Sequence, residues 1–448
     1  MKRFFFLVLM LTGLNLLVQA QELTSPESRE LSFNNLDSLL TFAGKNSTVL
    51  KTNQQQVILA KYEKIAAITN VINLHNQVAF TLIDNKQLPI NYVPAEMFGG
   101  PIGSYRGLIL GQQYASNFSI TPQIDIINPA AWAKVKSATI DQELTNNNNL
   151  IHKKSLFESI AACFYNITSL QEQIELTKQN LLSTDTLLII VKNKYFLGLV
   201  RQQDVNDAMA NKLTLDDKLK QLQVTLEQQY NSLKILIDIP QSENLTITNK
   251  FSYDQQFSAD LNVNADLRYK SSQLETESAK ADLKYNRLSH LPVVSMFYSY
   301  SYYQNSKNHF FDENVNASKW LNASYIGVKL TFCFPDLNKM IYTSKSKINY
   351  TISRINQEHS KFQNDISNRQ LQLDYEKAYS QFITSQQVSL LKDQNYKLAF
   401  DQYSQSILSF DKLLMAFNEM LVSHLNYSSA LAGLLYSKTI IDLNNNIK

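Results

Sequence analysis

The residue types that most often carry chemistry are sparse in this sequence and ungrouped. Six histidines (His75, His152, His290, His309, His359 and His424) show no H-x-x-x-H or related spacing. That spacing would set two imidazoles on one helix face around a metal. The two cysteines, Cys163 and Cys333, are single, whereas zinc sites take them in close pairs. No glycine-rich phosphate loop occurs. Metal, nucleophilic and phosphate chemistry have no visible carrier, so no cofactor is expected and the chain does not read as an enzyme. Nor does it read as a nucleic-acid binder. The net charge is +3 and 18% of residues are charged, with no basic run, against a usual ~25%.

The strong signal is length and periodicity. From Pro129 to Tyr195 there is no internal proline or glycine. Asn128-Pro129 opens the stretch with a good N-cap and a proline at the first helical position. Leu156, Ile160, Cys163, Ile167, Leu170 and Ile174 then recur at steps of four and three. Thr177 interrupts this seam, and Leu181, Leu188, Val191 and Tyr195 continue it. A 3.5-residue period is a coiled-coil seam. At ~1.5 Å per residue the helix would be roughly 100 Å long, longer than any single globular core.

Residues 1–20 read as a secretory signal peptide. Lys2-Arg3 precede an apolar run from Phe4 to Leu11, and Val18-Gln19-Ala20 form a small-residue cleavage site. The expected new N-terminus, Gln21, gives no support for lipidation. No other stretch approaches the ~20 apolar residues of a spanning helix, so a membrane crossing would have to use strands. Export permits a disulfide, but Cys163 and Cys333 read better as two small core residues.

The order of elements is given twice. Repeat 1, residues 31–240, holds a helix broken near Gly44, strands 71–84 and 117–127, the long helix 129–195 and a return helix 203–238. The seam of that return helix is Leu215, Leu219, Leu222, Leu226, Leu233 and Leu236. A loop, 85–115, separates its strands and holds five of the ten glycines. After a polar linker, 241–260, repeat 2 (261–443) holds a helix, strands 293–303 and 324–334, a long helix 336–400 and a return helix 411–443. In each half the shorter helices total roughly the span of the long one. Internal duplication is the main organisational fact.

The strands alternate. Ile72, Leu74, Val78, Phe80 and Leu82 share one phase, and Phe118, Ile120, Pro122, Ile124 and Ile126 another. Val294, Met296, Tyr298, Tyr300 and Tyr302 share a third, and Ile326, Val328, Leu330, Phe332 and Phe334 a fourth. The intervening positions are mostly small or polar, which is the pattern of a sheet with one oily and one wet face. Four strands cannot close a membrane barrel, whose smallest members have about 8. Open edges are not tolerated in lipid, so the chain should oligomerise, as a dimer of 8 strands or a trimer of 12. A soluble β-sandwich is the alternative, but it has no need of ~100 Å helices abutting its strands.

Tyr195-Phe-Leu-Gly198-Leu-Val-Arg-Gln-Gln-Asp204-Val205-Asn-Asp207-Ala208 resembles the Y-x-x-G…D-V/L-x-x-A turn of the TolC-like outer-membrane efflux proteins. The second copy, Tyr403-x-x-Ser406…Leu413-Leu414-x-Ala416, keeps the spacing without the glycine. Asn128-Pro129 and Phe334-Pro335-Asp336 are similar to the family's proline-containing strand–helix junctions. The resemblance covers about 31–443.

It implies an α+β membrane protein with an internal two-fold repeat. Four amphipathic strands per chain would enter a trimeric 12-stranded β-barrel, continued by an α-helical coiled-coil barrel in the periplasm. It further implies a passive exit duct of a tripartite efflux or type I secretion system. The partners would be outer-membrane lipid, a periplasmic adaptor and an inner-membrane transporter of RND or ABC type. Leu197, Gly198 and Leu199, with Ser406, Ile407 and Leu408, would dock the adaptor. Asp204 and Asp207, three apart on one helix face, would form an acidic tip aperture. Asp411 and Lys412 stand near the comparable positions of the second copy. Two other readings stay open: a periplasmic coiled-coil adaptor, which would need a compact β-domain between its helices, and an envelope enzyme, which would need a nucleophile–base pair.

Overall fold

The computed structural model describes residues 30–109, 111–249, 266–312, 319–332 and 334–447. The expected signal segment, residues 250–260 of the expected linker, and Cys333 lie outside them. In chain order the elements begin with β1 (Glu30–Phe33), α1 (Leu36–Asn46), α2 (Thr48–Ile72) and β2 (His75–Asp84). Next come β3 (Ile90–Pro94), β4 (Tyr105–Ile109), β5 (Tyr114–Ile127), α3 (Pro129–Phe196), α4 (Gln202–Leu236) and β6 (Asn244–Ile247). The second half holds α5 (Leu267–Leu288), β7 (Val293–Ser306), β8 (Leu321–Thr331), α6 (Leu337–Ser404) and α7 (Phe410–Asn446). The duplication is metrical. Both α3 and α6 have 68 residues. Pro129 and Leu337, Phe196 and Ser404, and Gln202 and Phe410 each lie 208 positions apart.

The chain divides into two compact units. The first, Met1–Ala43 with Cys163–Tyr253, packs the later part of α3, α4 and a small parallel sheet of β1 and β6. Phe164, Ile167, Val191, Leu233 and Ile237 are fully buried here. Thr177, expected to interrupt the seam, is fully buried too, because its hydroxyl donates to the Gln173 carbonyl at 2.6 Å. That bond one turn back satisfies the polar atom inside the helix. The Gln171 amide donates to the Ile247 carbonyl and to the Tyr230 hydroxyl, each at 3.0 Å. Thus β6, inside the expected polar linker, is a strand held onto α3.

The second unit is Gly44–Ala162 with Asp254–Lys448. Its helical part packs α6 against α7. Tyr375, Phe382, Ser389 and Tyr403 are buried on α6 at heptad spacing, facing Phe410, Leu413, Phe417 and Leu431 of α7. Ring pairs cross the seam at 5.8 Å (Phe382–Tyr427) and 5.4 Å (Tyr396–Phe417). α5 lies against both long helices of this unit. Ser278 and Ser137 hydroxyls donate to Asp141 and Asp282 respectively, and Thr276 donates to the Ser353 carbonyl at 3.0 Å.

The same unit holds a four-stranded antiparallel sheet in the order β2-β5-β7-β8. Its bounds depart from the sequence expectation in all four strands, β5 beginning at Tyr114 rather than at residue 117. Val71 and Ile72 finish α2, because Asn73 closes the helix in a left-handed conformation (φ 45°), so β2 starts at His75. β7 runs on to Ser306, where it still has Tyr114 to pair with. β8 begins at Leu321 and stops at Thr331, opposite Val293. Beyond that residue β7 gives way to Pro292, so Phe332 and Phe334 fall outside the ladder. The glycine-rich segment 85–115, expected as a loop, contains the β3–β4 hairpin. Gly107 faces Tyr92 there, and a Cβ at that position would come within 3.0 Å of Ile90.

Candidate functional site

The candidate site has two parts, the faces of the sheet and the turns between long and return helices. Register decides the faces. Val78 pairs with Ile120, and Ile120 with Tyr300. Phe80 pairs with Phe118, and Phe118 with Tyr302. Ile124, Met296 and Val328 form a third cross-strand row. One face is therefore mainly apolar and aromatic, although the first two rows end on Ser324 and Asn322 of β8. At its loop end Phe311 stacks on Phe80 at 5.9 Å and Trp320 on Tyr302 at 4.8 Å. Tyr114 meets Phe310 edge-on at 4.9 Å. Asp312 anchors the loop carrying Phe310 and Phe311, accepting from the Ser306 hydroxyl at 2.8 Å.

The opposite face carries Gln77, Ala79 and Thr81 of β2 and Asn117, Ser119, Thr121 and Gln123 of β5. Ser295, Ser299 and Ser301 of β7 continue it. Where the sheet meets the helices, Asp125 is buried on this face. It accepts from the Ser295 hydroxyl (2.7 Å), Asn73 (2.9 Å) and Asn128 (3.1 Å). Asn128 in turn accepts from the Ala131 amide at 3.1 Å, capping α3. One carboxylate thus ties two strands, the end of α2 and the start of α3. Its spacing carried no signal in the sequence, because its partners come from three separate segments. Three aromatic residues, Phe297, Tyr303 and Tyr325, also sit on this polar face. Strict alternation placed them there, but the eye follows the oily phase.

The two helix turns share one geometry. In the first, the Gly198 amide donates to Tyr195 O and the Leu199 amide to Lys194 O, both at 2.9 Å. In the second, Ser406 donates to Tyr403 O at 3.0 Å and Ile407 to Gln402 O at 2.9 Å. This pair of bonds needs a left-handed residue after the helix, and Gly198 (φ 72°) and Ser406 (φ 61°) supply it. Leu197, Leu199 and Ile407 are exposed and Leu408 is half-buried. A side chain resists this conformation by ~1 kcal/mol or more. Gly198→Ala should therefore lower stability by about 1 kcal/mol and Ser406→Gly raise it by a similar amount. Thermal melts of the two variants should shift in opposite directions; a shared direction would contradict the common turn geometry.

The aperture residues divide. Asp204 is buried and accepts from the Arg201 amide (2.9 Å) and guanidinium (3.4 Å), so it works as a capping residue of α4. Asp207 is half-buried one turn on, while Asp411 and Lys412 are exposed in the first turn of α7. Further along, a groove of about 590 Å³ between α6 and α7 is lined by Val388, Lys392, Met415, Glu419 and Val422. Lys392 and Glu419 pair across it.

No protein-family model matches the sequence, and no curated protein matches it. Solved structures do. The outer membrane protein VceC from Vibrio cholerae aligns over 92% of this chain and 96% of its own at a TM-score of 0.71 and 14% identity. The Campylobacter jejuni CmeC outer membrane channel aligns over 91% and 85% at 0.74 and 13%. The open state of the Neisseria gonorrhoeae MtrE outer membrane channel aligns over 96% and 94% at 0.64 and 13%. What is shared at such identities is architecture: this chain has the fold of these outer-membrane proteins, the fold that the resemblance to the TolC-like family implies.

Proposed function

We propose that this protein is the outer-membrane exit duct of a tripartite efflux or type I secretion system, a passive conduit assembled as a homotrimer. One observation carries the reading. The sheet is oily on one face, polar on the other, and open at both edges, β2 and β8. Such edges are incompatible with lipid. Joining β8 of one copy to β2 of the next in three copies gives 12 strands, oily side out and polar side around a bore. With 10 and 11 residues, the edge strands suit the ~9–11 residues of a membrane strand. Among the described residues no helix is long and apolar enough to cross a membrane.

In this reading the helices extend into the periplasm. Leu197, Gly198 and Leu199 of the first turn, and Ser406, Ile407 and Leu408 of the second, dock a periplasmic adaptor. The adaptor couples the duct to an inner-membrane transporter of RND or ABC type, which supplies the energy. Asp207, Asp411 and Lys412 border the tip aperture, with Asp204 holding the start of α4. Light scattering on the detergent-solubilised particle tests the assembly. The protein mass should be about three times that of the mature chain; a stable monomer would leave the edges open and overturn the duct.

A further inference from the structure

The polar face of the sheet has one place that does not suit a plain water-filled bore. Phe297 of β7 pairs with Gly327 of β8. A Cβ at Gly327 would lie 2.9 Å from Phe297 Cζ, so the phenyl ring occupies the space that any side chain there would fill. Gly327 is flanked on the same face of β8 by Tyr325 and Lys329, two residues to either side. The Phe297 ring therefore lies between them. Phe297 and Tyr325 meet edge-to-face, with centroids 6.0 Å apart and planes at 89°. Tyr325 is 60% exposed and Lys329 is also exposed.

The charges on this face are as informative as the rings. Among the described residues of the four strands, Asp125 is its acid and Lys329 its lysine, with His75 in the same phase on β2. Asp125 is buried under three hydrogen bonds. Lys329 makes no ion pair among the described residues. A solute at this cluster therefore meets two aromatic surfaces beside one cation, while Tyr303 lies further along the same face.

We propose that this cluster is a transient binding station in the export path, selective for planar aromatic anions such as aryl carboxylates. The solute's ring stacks against Tyr325 and Phe297, and its carboxylate pairs with the Lys329 ammonium. The assignment rests on the duct reading, in which this face lines the bore and three copies set three such clusters around it. The strand that would join β8 in the trimer presents His75, Gln77, Ala79, Thr81 and Ile83 on this face. Rings alone would favour cations; the adjacent ammonium reverses that preference.

The test is single-channel recording of the full-length trimer in planar bilayers, with 2-naphthoate as the probe. Two compounds matched in size serve as references: saturated decahydro-2-naphthoate and cationic 2-naphthylmethylammonium. We expect 2-naphthoate to interrupt the current at concentrations at least tenfold below either reference. Lys329→Gln should abolish the preference over the cation. Tyr325→Leu, which keeps bulk without the ring, should abolish the preference over the saturated acid. Wild-type conductance that responds equally to all three compounds would overturn the station while leaving the duct intact. Trimers that conduct no ions would overturn the duct, and the station with it.

Discussion

Replacing Phe382 by alanine is expected to lower the stability of the α6–α7 pair by about 3–5 kcal/mol. The ring is fully buried and lies 5.8 Å from Tyr427 across the seam. Two facts place the cost in the upper part of the range for large-to-small changes. The seam is a single row, with Tyr375 and Ser389 a heptad to either side, so few neighbours can move in to fill the space. Phe417, also fully buried on the facing helix, is packed by Tyr396 and is not free to follow. Denaturant melts of the detergent-solubilised protein, read by helical circular dichroism, would measure the loss. A change below ~1 kcal/mol would mean that Phe382 is not clamped between the helices.

The second large effect concerns the sheet. Ile120 and Ser119 are adjacent on β5 and point to opposite faces. Ile120 lies between Val78 and Tyr300, whereas Ser119 lies between Ala79 and Ser301. In the proposed trimeric duct Ile120 faces lipid and Ser119 the bore; an arginine on the lipid face near the midplane costs about 2–4 kcal/mol per chain, borne three times. Ile120→Arg should therefore nearly abolish assembled protein in the outer-membrane fraction. Ser119→Arg puts the same charge into the water of the bore and should assemble at close to normal yield with altered conductance. Equal losses would refute the assignment of faces. Comparing neighbouring positions with one substitution keeps residue chemistry and strand position constant, so only orientation varies.

Much of this architecture was legible because periodicity records burial. The steps of four and three through Ile160, Ile167 and Ile174 declared α3, and alternation declared β5 and β7. The Y-x-x-G spacing declared the first turn, and its glycine has a stated conformational reason in the φ of 72° at Gly198. The second turn lacked that glycine, yet Ser406 adopts the same conformation. There the hydrogen-bond pattern outweighs residue preference, which is worth only ~1 kcal/mol. The aperture was less legible. Asp204 and Asp207 are equivalent as letters three apart, but the start of α4 takes Asp204 for its own cap.

The sequence by itself determined the long and return helices, the four strands of the main sheet with the apolar phase of each, and that the plan is duplicated, but not β1, β6 or the β3–β4 hairpin. These are local properties, written in every third, fourth or second residue. Tertiary structure alone decided where the strands end, since β8 stops where β7 runs out of partner. It also brought Asp125 to Ser295, Asn73 and Asn128, and Phe297 over Gly327. Each of these depends on register between segments far apart in the chain, and register is set by the summed fit of whole faces rather than by any one residue.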